Sequence, residues 1–122
     1  MELVPLDILI CDDSMLARKK LKDLLDSLGC RVFEARNGLE GFETYKSNNP
    51  AAVFMDIVMP NIDGLEALKR IIEYDPKAKV IMLSSVGTAS KLKEALKMGA
   101  IDFIQKPFED AQIISILAKI SR

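Results

Sequence analysis

Five side chains carry the chemistry this sequence has to offer: Asp12, Asp13, Asp56, Ser84 and Lys106. Each closes or directly follows a short apolar run. Asp12-Asp13 follows Leu6 to Cys11, Asp56 interrupts the run from Val53 to Pro60, Ser84 ends Lys79 to Ser84, and Lys106 follows Ile101 to Gln105. Singly they are ordinary, since an Asp begins a turn or caps a helix and a Ser or Lys is at home at a strand end. If the runs are adjacent strands, three carboxylates, a hydroxyl and an ammonium converge. Clustered carboxylates repel unless a cation binds, a proton is shared or some stability is given up for function. The chain contains no histidine, which removes Ser-His and Cys-His nucleophile pairs, His-ligated zinc and a phosphohistidine on this chain. All-oxygen ligands favour a hard ion, and Mg2+ suits one or two carboxylates together with a phosphate oxygen. Mg2+ beside a free carboxylate points to phosphoryl transfer with one of these carboxylates as nucleophile and an acyl phosphate as product. Lys106 would neutralise charge and Ser84 would hydrogen-bond a phosphoryl oxygen.

The elements that must position these groups follow from periodicity. Leu6 to Cys11 reads as a strand, and Asp12-Asp13-Ser14 as the start of a helix with Ala17, Leu21, Leu24, Leu25 and Leu28 on one face. Arg18, Lys19, Lys20 and Lys22 lie elsewhere around that helix, which Gly29 stops. Arg31 to Ala35 is a second strand, Asn37-Gly38 a turn and Leu39 to Ser47 a helix closed by Asn48-Asn49-Pro50. The strand ending at Asp56 is followed by a loop, Ile57 to Asp63, and a helix from Gly64 with Leu65, Leu68, Ile71 and Ile72 inward. Lys79 to Ser84 is the fourth strand, Thr88 to Met98 the fourth helix, Ile101 to Gln105 the fifth strand and Glu109 to Ser121 the last helix. Its inward stripe is Ile113, Ile116, Leu117 and Ile120, which leaves Ile114 partly exposed. Strands and helices alternating with short loops call for an α/β fold, a doubly wound five-stranded parallel sheet with five helices covering both faces. The flavodoxin-like strand order 2-1-3-4-5 places its switch point between the first and third strands, above Asp12-Asp13 and Asp56.

With 122 residues the chain is one domain. Seventeen Lys and Arg against 18 Asp and Glu give a net charge of -1 without a basic block, so nucleic acid is not a direct partner. Met1-Glu2-Leu3-Val4-Pro5 has neither the basic region nor the apolar segment of a targeting signal, and nothing suits membrane insertion, so a cytoplasmic protein is expected. Cys11 and Cys30 read as small core residues rather than a disulfide pair.

The stretches Ile8-Leu9-Ile10-Cys11-Asp12-Asp13-Ser14, Met55-Asp56-Ile57-Val58-Met59-Pro60-Asn61-Ile62-Asp63-Gly64, Leu83-Ser84-Ser85 and Lys106-Pro107-Phe108 occur in order across nearly the whole chain. In them the sequence resembles the receiver domain of two-component response regulators, in its single-domain, CheY-like form. The resemblance implies one receiver domain over residues 1–122 in which Asp56 accepts a phosphoryl group from a partner sensor histidine kinase. It implies Mg2+ held by Asp13, Asp56 and the backbone carbonyl of Val58, with Asp12 acting through water, and contacts from Lys106 and Ser84 to the phosphoryl group. It further implies a switch formed by Ser84 and Phe103, which signals to a downstream protein through the fourth helix, fifth strand and fifth helix. Phe103 stands where tyrosine is common and Ser84 where threonine is frequent, so an inward ring rotation is retained without a hydroxyl. The stretch Ser84-Ser85-Val86-Gly87 followed by Lys91 to Gly99 looks closer to stand-alone regulators of chemotaxis than to transcriptional ones. No residues remain for an output domain, so the chain is expected to act as a phosphoacceptor rather than an enzyme with a separate substrate, as a monomer or weak phosphorylation-dependent dimer. A phosphorelay intermediate is the alternative within this class. A flavin-binding redox carrier is the rival outside it, and Asp12-Asp13 would repel its phosphate.

Overall fold

The computed structural model describes residues 6–85 and 87–121. The amino-terminal pentapeptide and Val86 of the stretch after Ser84 therefore lie outside the described residues. Ten elements alternate along the chain: β1 (Asp7–Cys11), α1 (Met15–Ser27), β2 (Arg31–Ala35), α2 (Gly38–Asn48), β3 (Ala52–Asp56), α3 (Gly64–Tyr74), β4 (Val80–Ser84), α4 (Ala89–Met98), β5 (Asp102–Gln105) and α5 (Asp110–Ile120). The strands form one sheet in the order β2-β1-β3-β4-β5, parallel at every pairing.

Alternation along the strands divides the core between the two faces. Leu9, Cys11, Val53, Met55, Val80 and Met82 pack with Tyr45 of α2, Ala67, Leu68 and Ile71 of α3 and Ala95 of α4. Ile8, Ile10, Phe54, Ile81, Leu83 and Ile104 pack with Leu21 and Leu25 of α1 and with Ile113, Ile116, Leu117 and Ile120 of α5. β3 and β4, covered on both sides, are buried at all five positions, which explains why their sequences are apolar throughout rather than alternating. No helix among the described residues is long and apolar enough to cross a membrane.

Two local readings are corrected. Asn37-Gly38 opens α2 rather than forming a separate turn: the Asn37 carboxamide accepts the Glu40 N–H at 2.8 Å and caps the helix. Gly38 is required because a Cβ there would collide with the Ile62 carbonyl. Arg18, read as one of the polar residues around α1, is 8% exposed and shares the buried stripe with Leu21 and Leu25, while Ala17, Leu24 and Leu28 are only half-buried. The remaining differences are end effects, with Thr88 and Glu109 acting as N-caps and Ser121 as a C-cap. Cys11 and Cys30 are free thiols, buried and half-buried respectively.

Candidate functional site: the acid cluster above β1 and β3

Register brings the acids together. Cys11 of β1 pairs with Met55 of β3, so the next residue on each strand, Asp12 and Asp56, emerges side by side at the carboxyl end of the sheet. Asp56 is opposite Leu83, and Ser84 is opposite Gln105, which puts Ser84 and Lys106 at the same end. Lys106 is tied down by its own backbone, its N–H donating to the Ser84 carbonyl at 2.7 Å.

The carboxylates of Asp12, Asp13 and Asp56 each offer an oxygen within 4.8 Å of the others. Their environments differ. Asp12 and Asp56 are buried and Asp13 is exposed. Asp12 is held on three sides: its N–H donates to the Ala35 carbonyl at 3.1 Å, its Oδ1 accepts the Ser14 N–H at 2.9 Å, and its Oδ2 accepts from Lys106 Nζ at 2.6 Å. Lys106 Nζ also reaches Asp56 Oδ2 at 3.2 Å, so one ammonium bridges both buried acids. Burial pushes the Asp56 carboxyl up to about 6 and the negative charge of Asp12 adds to the rise, while Lys106 and a backbone hydrogen bond from Val58 oppose it. For Lys106 burial works against the charge, but the hydrogen bond to Asp12 and the charges of Asp56 and Asp12 outweigh it, and the ammonium is held above its ordinary value.

The loop after Asp56 is locked as firmly as the strand. Ile57 and Met59 are buried, the Gly64 N–H donates to the Ile57 carbonyl at 2.8 Å, and a Cβ on Gly64 would overlap the Asp56 carbonyl. Only a glycine lets α3 start this close to the acid. Val58, between the two buried anchors, is 52% exposed. A groove of about 490 Å³ lined by Ala17, Lys20, Ser85, Lys106, Pro107 and Phe108 opens beside the cluster.

Ser84 is buried and Phe103 is 44% exposed; both line a cavity of about 260 Å³ together with Thr88, Leu92 and Gln105. The structure thus brings Asp12, Asp13, Asp56 and Lys106 into one cluster and sets Ser84 and Phe103 on a neighbouring cavity. Two residues escaped the sequence reading. Thr88 is buried, donating through Oγ1 to the Ser85 carbonyl at 2.7 Å and accepting the Ser85 N–H at 3.2 Å; the spacing of three from Ser85 is the signal for such a turn. Arg18 sits beneath the Asp12-Asp13 turn, and its signal was the spacing of three and seven to Leu21 and Leu25.

The donor set fits a hard divalent cation: three oxygens from carboxylates gathered within 4.8 Å, without histidine or a nearby exposed thiol. Residues 8–118 match the family model of the response regulator receiver domain. The chain is 43% identical over 116 residues to a chemotaxis protein CheY of Thermotoga maritima, covering 94% of this chain and 97% of that protein. It superimposes with a TM-score of 0.89 and 35% identity on a structure of the CheX-CheY-BeF3-Mg2+ complex from Borrelia burgdorferi, covering 96% of this chain and 90% of that one. It also matches NtrX of Brucella abortus at TM-score 0.90 and 28% identity, there covering 96% of this chain but only 27% of the longer protein. With five strands in receiver order and a family match over almost its whole length, the chain belongs to the response regulator receiver domain family and is a phosphorylation-activated signalling switch.

Proposed function

We propose that Asp56 is the phosphoacceptor and that a histidine kinase is its donor. An Asp56 carboxylate oxygen attacks the phosphorus of a phosphohistidine; the new P–O bond forms as the P–N bond breaks, and the imidazole leaves with the bonding pair. The observation that supports this most is the convergence of Asp12, Asp13 and Asp56 around Lys106 at adjacent strand ends. Asp13, Asp56 and the Val58 carbonyl would hold Mg2+ directly and Asp12 through water. Bound there, the ion would offset the charge that gathers on the phosphoryl oxygens. Lys106 turns from Asp56 toward the new phosphoryl group, and the groove beside it admits the donor. The chain acts in the cytoplasm as one receiver unit, and the chemotaxis proteins among its relatives make chemotaxis the process we assign.

The signal leaves through Ser84 and Phe103. Ser84 moves to hydrogen-bond the phosphoryl group, Phe103 enters the cavity of about 260 Å³ between them, and the face formed by α4, β5 and α5 changes for a downstream protein. Intact-mass measurement after treatment with acetyl phosphate and Mg2+ tests the acceptor. Wild type gains about 80 Da in a form labile to base, as one phosphoryl group on a carboxylate requires, and Asp56→Asn gains nothing. Undiminished, base-stable labelling of Asp56→Asn would move the acceptor to a hydroxyl such as Ser84 or Ser85.

A further inference from the structure

We infer that Arg18 is a positioning residue that presents Asp13 to the divalent cation, an inference that rests on the metal reading above. A guanidinium is costly to bury, and Leu21 and Leu25 show that an apolar side chain suits this stripe of α1. Arg18 is nevertheless 8% exposed, with Nη1 donating to the Asp12 carbonyl at 2.8 Å and Nε to Glu34 Oε1 at 3.3 Å. The Asp12 amide bonds Ala35, its Oδ1 bonds Ser14 and its Oδ2 bonds Lys106; these three contacts place Asp12 itself. The contact with Arg18 acts on the next peptide group, whose nitrogen belongs to Asp13. Because that group is planar, fixing its oxygen fixes the direction in which the chain enters Asp13. Asp13 is exposed and makes no side-chain hydrogen bond among the described residues, so the neighbouring peptide is the handle by which its carboxylate is aimed. A charge-assisted hydrogen bond is a strong form of that handle, and Glu34 balances the charge.

A purely structural role would make Arg18 a brace between α1 and β2, for which Glu34 matters as much as the Asp12 carbonyl. Two readouts separate the roles: the dissociation constant of Mg2+ by calorimetry, and exchange in metal-free protein of the Ser14 amide, which donates to Asp12 Oδ1 across the turn. Arg18→Met should weaken Mg2+ binding about tenfold, at the lower end of the effect of residues that orient metal ligands, and should speed exchange at Ser14. Glu34→Ala, which removes the acceptor for Nε and with it the brace, should leave both within about twofold of wild type on the same scale. Arg18→Lys, which retains a cationic donor, should recover part of the affinity. Should Arg18→Met fail to fold, Arg18→Gln carries the same readouts. Wild-type affinity and exchange in the Arg18 variants, or an equal loss in Glu34→Ala, overturns the inference. If wild type itself takes up no Mg2+, the metal reading falls, and exchange at Ser14 alone decides whether Arg18 holds the turn.

Discussion

The centre of the sheet and its β5 edge are built on opposite terms. β3 and β4 are buried at every position, and the loop leaving β3 is pinned by Ile57 and Met59. At the edge, Asp102–Gln105 has only Ile104 buried, and Leu96, Ile101, Phe103 and Ile114 are large apolar side chains left exposed. Between the regions lies the cavity shared by Ser84 and Phe103. Phosphoryl transfer needs its acids held in fixed geometry, which a fully packed strand end supplies. A readout needs two packings of similar free energy, which a close-packed centre would forbid and a loose edge with adjoining space permits.

Two glycines provide the largest test of this contrast. Gly64→Ala should destabilise by about 3 kcal/mol, because its Cβ must displace the Asp56 backbone rather than a flexible side chain. Gly87 on the β4–α4 connection has φ +89°, but nothing lies within 4 Å of the point a Cβ would occupy, so Gly87→Ala should cost only the strain of that backbone conformation, about 1 kcal/mol. Urea unfolding of both variants checks the ranking. Equal losses would mean that the centre is no more rigid than the connection leading to the edge.

The next effect is electrostatic and belongs to the centre alone. The folded protein retains a proton on Asp56 up to about pH 6, whereas the unfolded chain releases it near 3.8. Between these values the folded state binds more protons, so stability of the metal-free protein falls as pH rises from about 4 to about 6 and stays reduced above that. A rise of this size corresponds to about 3 kcal/mol at about 1.4 kcal/mol per pKa unit, and relaxation of the site around the bridging Lys106 ammonium brings the effect to on the order of 1 to 2 kcal/mol. Asp56→Asn should flatten this slope and melt higher than wild type at pH 7. Millimolar Mg2+ should stabilise wild type by mass action and leave Asp56→Asn less affected. Asp13 shares the cluster but is exposed, so Asp13→Ala should raise metal-free stability less than Asp56→Asn. Denaturation at pH 4, 5, 6 and 7 with chelator or Mg2+ measures the slope, and a flat wild-type profile would contradict the strained cluster.

Legibility followed the same division. Strand order, the two-faced core and the acid cluster were all readable, because burial on both faces leaves an uninterrupted apolar run and the following residue then marks the strand end. Arg18 and the start of α2 were not. Periodicity places Arg18 on the buried face of α1, but residue type argues for the surface, and only the tertiary contact with the Asp12 carbonyl resolves the conflict. Asn37-Gly38 has the composition of a turn; what makes it a helix start is the Asn37 carboxamide capping the Glu40 N–H, and the distant carbonyl of Ile62 explains only why residue 38 is glycine. The unequal exposure of Asp12 and Asp13 could not be read either, since neighbouring identical residues differ only in which way the chain turns after β1.

The smallest effect on stability, and the sharpest test of the edge as a readout, lies at Ile114. It is 46% exposed on α5, beside an inward neighbour, Ile113, that is fully buried. Ile114→Glu removes little buried area and should alter unfolding free energy by less than about 0.5 kcal/mol, as substitutions away from packed or paired sites do. It leaves the acid cluster untouched, so labelling by acetyl phosphate should match wild type in rate and extent. What it should change is association, because an apolar side chain at the centre of a contact excludes water whereas a carboxylate there must be desolvated. Sedimentation of the phosphorylated protein over a range of concentrations gives the comparison. Weaker self-association in Ile114→Glu, with unaltered labelling, separates a readout surface at the edge from the chemistry at the centre. Identical sedimentation of the two proteins would leave Ile114 an ordinary exposed isoleucine and remove it from the proposed readout by self-association.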